Sequence, residues 1–169
     1  MSSIVKRCSL AAVLALATLV PDFRLLTTSP AGLALIADLE GCRLHPYQCS
    51  AGVWTRGIGH TAGVVPARDI TEREAAADLV ADVLNVERQL ARCAPIAMPS
   101  SVYDALVSFT FNVGSGAACD STLVSLIKHR QWALACDQLP RWVYVNGVKN
   151  KGLENRRQRE RTYCMKGAQ

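Results

Sequence analysis

Apolar residues recur every three or four positions along most of the chain, the spacing that places side chains on one face of a helix. After Ser29-Pro30, a pair typical of a helix start, Leu33, Ile36 and Ala37 form such a stripe. Glu40 lies on the same stripe, one turn further on. A carboxyl group on an apolar face is costly unless it has a partner or a role. Glu40 is therefore the first candidate functional residue.

The rest of the pattern predicts more helices and a little β-structure. The glycine-rich residues 52–63 predict short strands with tight turns. Thr71-Glu-Arg-Glu74 is a capping box, and it opens a long apolar stripe that stops before Pro95. Further stripes follow between residues 100 and 164. The pattern predicts a mainly helical protein of two lobes with one small β-hairpin, in which the helix after Thr71 connects the lobes.

The N-terminal residues carry a continuous apolar run instead of a stripe. The run covers Cys8–Val20 and is preceded by Lys6-Arg7 and closed by Pro21. As a helix it would span only ~20 Å, less than the ~30 Å hydrocarbon core of a bilayer. Its length suits the hydrophobic region of a signal peptide, but no clear cleavage site follows. A cleaved signal peptide, an uncleaved anchor and a buried core helix remain open on the pattern alone.

The charge of the chain is concentrated at one end. The net charge is +5, and the residues from Arg141 onward contain eight basic and two acidic side chains. A basic surface suits a polyanionic partner such as anionic lipid or an acidic wall polymer, and a solvated helix face is the simpler alternative. Because no basic pattern interleaved with aromatic residues is present, a nucleic-acid partner is not expected.

Seven cysteines in 169 residues indicate an oxidising compartment. No two of them form a Cys-x-x-Cys pair, which argues against a structural zinc site. Because the number is odd, at least one thiol stays outside intramolecular disulfides.

Glu40 also begins the motif with the clearest chemistry. A thiol, Cys49, and a hydroxyl, Thr55, follow it by nine and fifteen residues within the predicted hairpin. A glycosidase needs a proton donor held against an apolar wall and a second polar group across the sugar. An acid at a helix end facing two polar groups on a hairpin can supply both.

The motif, taken with the residues between Glu40, Cys49 and Thr55, resembles the catalytic signature of the phage lysozyme family of T-even type. In that signature Glu is followed by Asp or Cys and then by Thr. A second stretch resembles the C-terminal lobe of that family in the expected order. The motif covers Glu40–His60, and the C-terminal segments are Phe109–Gly116, Leu139–Tyr144, Asn146-Gly147, Gly152-Leu153 and Arg156-Arg157. The resemblance covers roughly residues 31–165 and implies a lysozyme-like α+β fold for a catalytic domain at 30–169.

The resemblance implies that Glu40 is the general acid and that Thr55 positions water. Cys49 stands where Asp is commoner in the family, and a thiolate is a good nucleophile and base. Inversion and a covalent intermediate therefore both remain open. Two structural alternatives are a Glu40 ion pair with Arg156 or Arg157, and a Thr55 selected only for β-propensity.

Substrate binding is assigned to His60, Phe111 and Asn146. His60 is expected to form hydrogen bonds near the site and not to bind a metal. The resemblance implies no cofactor and no metal.

The presence of cysteines at positions 8, 42 and 49 resembles the arrangement in a subset of phage endolysins that have a signal-arrest-release segment and are activated by disulfide exchange. The resemblance implies that a Cys42–Cys49 disulfide blocks Cys49 until Cys8 leaves the membrane and exchanges with Cys42. A permanent Cys42–Cys49 bridge with an incidental Cys8 is the alternative. The remaining four cysteines can pair in three ways.

We therefore expect a muramidase that cleaves the β-1,4 bond between N-acetylmuramic acid and N-acetylglucosamine in peptidoglycan and lyses the host. Residues 1–29 are expected to anchor it in the inner membrane facing the periplasm, from which it is released as a monomer. The alternatives are a lytic transglycosylase, and a non-enzymatic basic protein that disrupts walls or membranes.

Overall fold

A computed structural model describes residues 8–49, 52–66 and 68–169. Eight α-helices and two β-hairpins make up the described chain. The helices are α1 (Leu10–Ala17), α2 (Pro30–Glu40), α3 (Glu72–Cys93), α4 (Ser100–Val113), α5 (Ser115–Cys119), α6 (Thr122–Lys128), α7 (Trp132–Cys136) and α8 (Lys151–Cys164). The strands are β1 (Arg43–Gln48), β2 (Trp54–Gly57), β3 (Tyr144–Val145) and β4 (Val148–Lys149). Short 3₁₀ turns cover Pro21–Leu25, Leu139–Arg141 and Met165–Gly167.

The chain forms two compact units, which confirms the prediction of a mainly helical, two-lobed protein. The N-terminal unit contains the chain up to Leu26 and Ile36–Leu84. The C-terminal unit contains Thr27–Leu35 and Asn85–Gln169. The predicted long helix, α3, contributes its first part to one unit and its last part to the other.

The N-terminal apolar run folds as α1 within the N-terminal unit. Ser9 caps this helix through a hydrogen bond from the Ala12 amide to its hydroxyl, and the Ser9 amide donates to Glu72 at 2.8 Å. Val13 and Ala17 are fully buried. Among the described residues, no helix combines the length and apolar character needed to cross a bilayer. The role of residues 1–29 as an anchor and linker stays a prediction.

β1 and β2 form the hairpin that the glycine-rich segment predicted. The two strands are antiparallel, with Tyr47 opposite Thr55 and an irregularity between Arg43 and Tyr47. Gly57, at the end of β2, adopts a φ of +57°. The position where its side chain would begin lies 3.3 Å from the Cβ of Ala75 on α3, so a larger residue would meet that helix.

In the C-terminal unit, α4 packs against α8. Phe109 and Leu106 of α4 are buried in its core. Two disulfides join its helices, Cys93–Cys119 and Cys136–Cys164. The structure thus selects one of the three pairings that the sequence left open for these four cysteines.

Two buried carboxylates hold the chain where α2 begins. Glu87 accepts hydrogen bonds from the amide and the hydroxyl of Thr28, both at 2.6 Å. Asp104, which is fully buried, accepts from the amide and the hydroxyl of Ser29 at 2.9 and 2.5 Å. A Cβ on Gly32 would lie 2.5 Å from Asp104 Cγ. Glycine at position 32 therefore allows α2 to approach this carboxylate.

A second hairpin, β3–β4, was missed in the sequence analysis. Its turn is Asn146-Gly147, and both residues have positive φ values, +50° and +77°. Asn-Gly is the strongest short-range signal for a tight hairpin turn. The signal was therefore present in the sequence, but strands of two residues are too short to show an alternating pattern.

The capping box that begins α3 is present as predicted. The Thr71 amide donates to Glu74 at 2.8 Å, and the Glu74 amide donates to the Thr71 hydroxyl at 3.2 Å. Glu74 also accepts from Arg68. The hydrogen bond from Arg68, followed by that from the Thr71 amide, lowers the pKa of Glu74 from 4.5 to about 2.

The lowered pKa predicts how pH changes stability. A carboxyl whose pKa is lower in the folded state stabilises the fold fully above its unfolded pKa, and this contribution is lost as the pH falls through the folded value. We expect Glu74→Gln to lower the melting temperature at neutral pH, and the difference from wild type to shrink between pH 4.5 and pH 2. Thermal unfolding followed by circular dichroism measures this. A difference of equal size at pH 6 and pH 2 would contradict the assignment.

Candidate active site

Glu40 is the last residue of α2, as the sequence predicted. Leu33, Ile36 and Ala37 of the same helix are buried, and Glu40 is half-buried at the end of their stripe. Gly41 follows with a φ of +69°, the left-handed conformation with which helices commonly end. The helix end therefore holds the carboxyl group beside an apolar core and keeps it accessible.

Glu40 lines a cavity of about 320 Å³ in the N-terminal unit. Arg43 and Tyr47 of β1 form part of its lining. Another part is the disulfide between Cys8 and Cys42, with Leu10 of α1. The N-terminal segment thus forms part of the wall around the candidate acid.

Tyr47 lies within electrostatic reach of both Glu40 and Cys49. Burial raises the pKa of the Tyr47 hydroxyl, the charge of Arg43 opposes the rise, and the charges of Glu40 and Cys49 add to it. The Arg43 guanidinium stacks over the Tyr47 ring at 4.3 Å from its centroid. Tyr47 therefore remains a neutral hydroxyl, and Arg43 supplies positive charge to the cavity that Glu40 lines.

Cys49 follows β1 directly and lies outside the three disulfides of the described chain. Its amide donates to the Val53 carbonyl at 3.0 Å, and its carbonyl accepts from the Gly52 amide at 2.8 Å. These bonds fix the backbone at the hairpin turn. The side chain is half-buried, so part of it is exposed to solvent.

Thr55 is buried in the centre of β2, opposite Tyr47. Its hydroxyl donates to the Val53 carbonyl at 3.1 Å, so its oxygen lone pairs remain to accept a hydrogen bond. The same carbonyl accepts from the Cys49 amide. The Val53 carbonyl therefore accepts hydrogen bonds from both candidate residues, Cys49 and Thr55.

Two acidic residues on α3 hold β2 and the turn after it. Arg56 donates to both oxygens of Asp78, at 2.8 and 3.0 Å. His60 Nδ1 lies 2.9 Å from an Asp82 oxygen, and His60 Nε2 lies 2.8 Å from the Ala62 carbonyl. The sequence pattern had not singled out Arg56, Asp78 or Asp82. The four-residue spacing of the two aspartates on one helix was the available signal.

His60 is thus engaged with protein groups at both ring nitrogens, and it is buried. Burial raises the pKa of Asp82, and the hydrogen bond with His60 opposes that rise. His60 forms hydrogen bonds next to the hairpin, and its assignment to substrate binding stays a prediction.

The other two residues assigned to substrate binding lie in the C-terminal unit. Phe111 is half-buried near the end of α4, and Asn146 is exposed at the tip of the β3–β4 hairpin. The predicted residues therefore divide between the units, with Glu40, Cys49, Thr55 and His60 in the N-terminal one.

The C-terminal unit has a larger cavity of its own, about 600 Å³, which the sequence analysis did not predict. Arg141, Trp142 and Gln138 form one part of its lining, and Asp120 and Ser121 form another. These residues come from separate segments, so Trp142 in Leu139–Tyr144 was the one local signal for it.

A buried ionic cluster lies in the same unit. Arg156 and Arg157 of α8 both bind Glu160, which is fully buried. Ser108 of α4 donates to the same carboxylate at 2.7 Å. Both arginines that the sequence analysis considered as partners of Glu40 thus contribute to a network within the C-terminal unit.

Comparison with known proteins identifies the family. The family model described as phage lysozyme matches residues 37–160. The signal-arrest-release endolysin of bacteriophage PS119 is 41% identical over 132 residues, which cover 78% of this chain and 79% of that protein.

Two crystal structures of the P1 phage endolysin are also similar. Its active form aligns with a TM-score of 0.85 and 33% identity over 95% of this chain and 96% of that one. Its secreted inactive form aligns with a TM-score of 0.58 and 36% identity over 83% and 96%. These similarities confirm the lysozyme-like fold. The chain belongs to the phage lysozyme family.

Proposed function

We propose that Glu40, Cys49 and Thr55 perform catalysis in this lysozyme. Membership of the family makes the chain a glycoside hydrolase, a muramidase that cleaves the β-1,4 bond between N-acetylmuramic acid and N-acetylglucosamine in peptidoglycan. The observation that carries the assignment is the cavity that contains Glu40, beside the hairpin that carries the other two residues. Host lysis is the consequence of this reaction.

In the proposed mechanism, Glu40 donates its proton to the glycosidic oxygen as the bond to the anomeric carbon breaks. The half-buried helix end supports this role because it provides an apolar wall and an opening to solvent. Thr55 accepts a hydrogen bond from the water that attacks the anomeric carbon. Cys49 acts as the base for this water or as the nucleophile.

We further propose that the disulfide state controls activity. A Cys42–Cys49 bond would remove the thiol from the site, and attack by the Cys8 thiolate on Cys42 would form Cys8–Cys42 and release the Cys49 thiolate. The exchange is balanced, since one disulfide replaces another and one thiolate replaces another. The Cys8–Cys42 bond and the greater similarity to the active form of the P1 endolysin support this assignment.

Residues 1–29 are proposed to be the releasable anchor that times this exchange, and residues 30–169 the catalytic domain. The relatives named signal-arrest-release endolysins support export and tethering at the inner membrane, facing the periplasm. The sequence of α1, Leu-Ala-Ala-Val-Leu-Ala-Leu-Ala, is apolar on all sides but short, which suits a segment that enters a bilayer and leaves it. After release, the enzyme acts on peptidoglycan as a monomer.

Product analysis tests the proposal. Purified protein should convert peptidoglycan to muropeptides that end in reducing N-acetylmuramic acid, resolved by mass spectrometry. Glu40→Gln should form these products at a rate lower by about 10² or more. Anhydro-muramic products would identify a lytic transglycosylase instead. Lysis of cells by Glu40→Gln at the wild-type rate, without glycan cleavage, would identify a non-enzymatic membrane-disrupting protein.

A further inference from the structure

Arg157 joins three groups of the C-terminal unit that belong to different segments. Its side chain is 1% exposed, and its guanidinium donates to Glu160. It also donates to the Trp142 carbonyl at 3.2 Å and to the side-chain oxygen of Asn112. The guanidinium lies 5.1 Å from the centroid of the Phe109 ring. One buried cation therefore sets the positions of α4, α8 and the segment after α7.

The contact with Asn112 determines how that amide is oriented. A guanidinium only donates hydrogen bonds, so the partner atom on Asn112 is the carbonyl oxygen, Oδ1. The amide nitrogen, with its two N–H donors, is at the other end of the planar group. Asn112 is an exposed residue near the end of α4. The side-chain amide of an exposed asparagine usually rotates freely. Here the buried Arg157 holds the oxygen end of the Asn112 amide, so the two N–H groups at the other end point away from Arg157.

Asn112 shares its guanidinium partner with a residue that lines a cavity. Trp142, whose carbonyl the same guanidinium holds, lines the 600 Å³ cavity of this unit. Its ring meets the buried Phe109 ring edge to face, with centroids 5.1 Å apart. A fixed aromatic ring offers a face for the C–H groups of a sugar. The Asn112 amide, held by the same guanidinium as the Trp142 carbonyl, offers hydrogen-bond donors.

We propose that Asn112 determines specificity by donating a hydrogen bond to the acetamido carbonyl of a peptidoglycan sugar, and that Arg157 is a positioning residue that orients Asn112. This inference rests on the proposed function. Both sugars of peptidoglycan carry an acetamido group, whose carbonyl oxygen is a hydrogen-bond acceptor. A donor whose orientation is already fixed loses little entropy on binding, which favours its use in recognition.

Asn112→Asp tests the donor directly. Aspartate has nearly the same shape and still accepts from Arg157, but it offers an acceptor where the amide offered donors. We expect its KM for peptidoglycan to rise ~3–10-fold, the effect of one hydrogen bond, with kcat within about twofold and an unchanged melting temperature. Asn155→Asp makes the same chemical change at an exposed position of α8 and should leave KM unchanged.

The acetamido group is tested on the substrate. On chemically de-N-acetylated peptidoglycan, where an amino group replaces the acetamido group, the KM of Asn112→Asp should not rise above that of wild type. Arg157→Lys keeps the charge and loses the planar fork, and it should raise KM only on the acetylated substrate. An Asn112→Asp variant with the wild-type KM, or with the same rise on both substrates, would overturn the inference.

Failure of the inference about Asn112 can be distinguished from failure of the proposed muramidase function. If wild type does not cleave peptidoglycan, the proposed function fails. Co-sedimentation with acetylated and de-N-acetylated peptidoglycan then compares the affinities of the same variants. Equal binding of wild type and Asn112→Asp to the acetylated polymer would overturn the role of Asn112.

Discussion

Glu40→Gln is expected to lower kcat on peptidoglycan by about 10² or more, the typical contribution of a positioned general acid. Glutamine keeps the shape of the side chain at the end of α2 but has no proton to transfer to the glycosidic oxygen. Because Glu40 is half-buried and not part of the core, the fold should be unchanged. Turnover by purified protein, together with its circular dichroism spectrum, measures both.

Asp38→Asn provides the matched control for this prediction. Asp38 lies two residues earlier on α2 and is exposed, so the same loss of a carboxylate there should leave turnover near wild type. A Glu40→Gln protein that is folded and retains more than a tenth of wild-type turnover would remove Glu40 from the role of acid.

Three cysteine variants are expected to differ from one another in how their activity depends on redox state. Cys8→Ser should be inactive after release unless a reductant is added, because no thiol remains to displace Cys49 from Cys42. Cys42→Ser should be active without the switch and toxic on export, because Cys49 then lacks its blocking partner. Cys49→Ser should be inactive in every redox state if the thiol itself performs chemistry. Assays with and without reductant, on membrane and soluble fractions, measure these outcomes.

Peptide mapping under non-reducing conditions provides the physical readout. It should find Cys42–Cys49 in the membrane fraction and Cys8–Cys42 in the soluble one, where the latter is the pairing in the structure. The Cys93–Cys119 and Cys136–Cys164 bonds should be the same in both fractions and serve as internal controls. A Cys42–Cys49 bond in fully active enzyme would contradict both the switch and the catalytic thiol.

Local signals determined the elements that carry the candidate catalytic residues. The apolar stripe of α2 predicted that Glu40 would lie at a helix end, and the structure has the helix end there. The capping box predicted the start of α3, and glycines predicted the hairpin of Cys49 and Thr55. These features depend on residues within about one or two helical turns of each other, so a single chain is sufficient to read them.

Contacts between residues far apart in the sequence became known only from the folded chain. The sequence offered three pairings for four cysteines, and the packing of α3 to α8 selected one. It offered no sign that Arg157 would hold Asn112, 45 residues away. Such contacts depend on where whole elements pack, and any arginine could have found another acceptor. Local patterns were therefore sufficient to predict the helices, the first hairpin and the candidate catalytic residues they carry. The cavities, the disulfides and the orientation of polar side chains depend on burial and long-range packing, which no local pattern encodes.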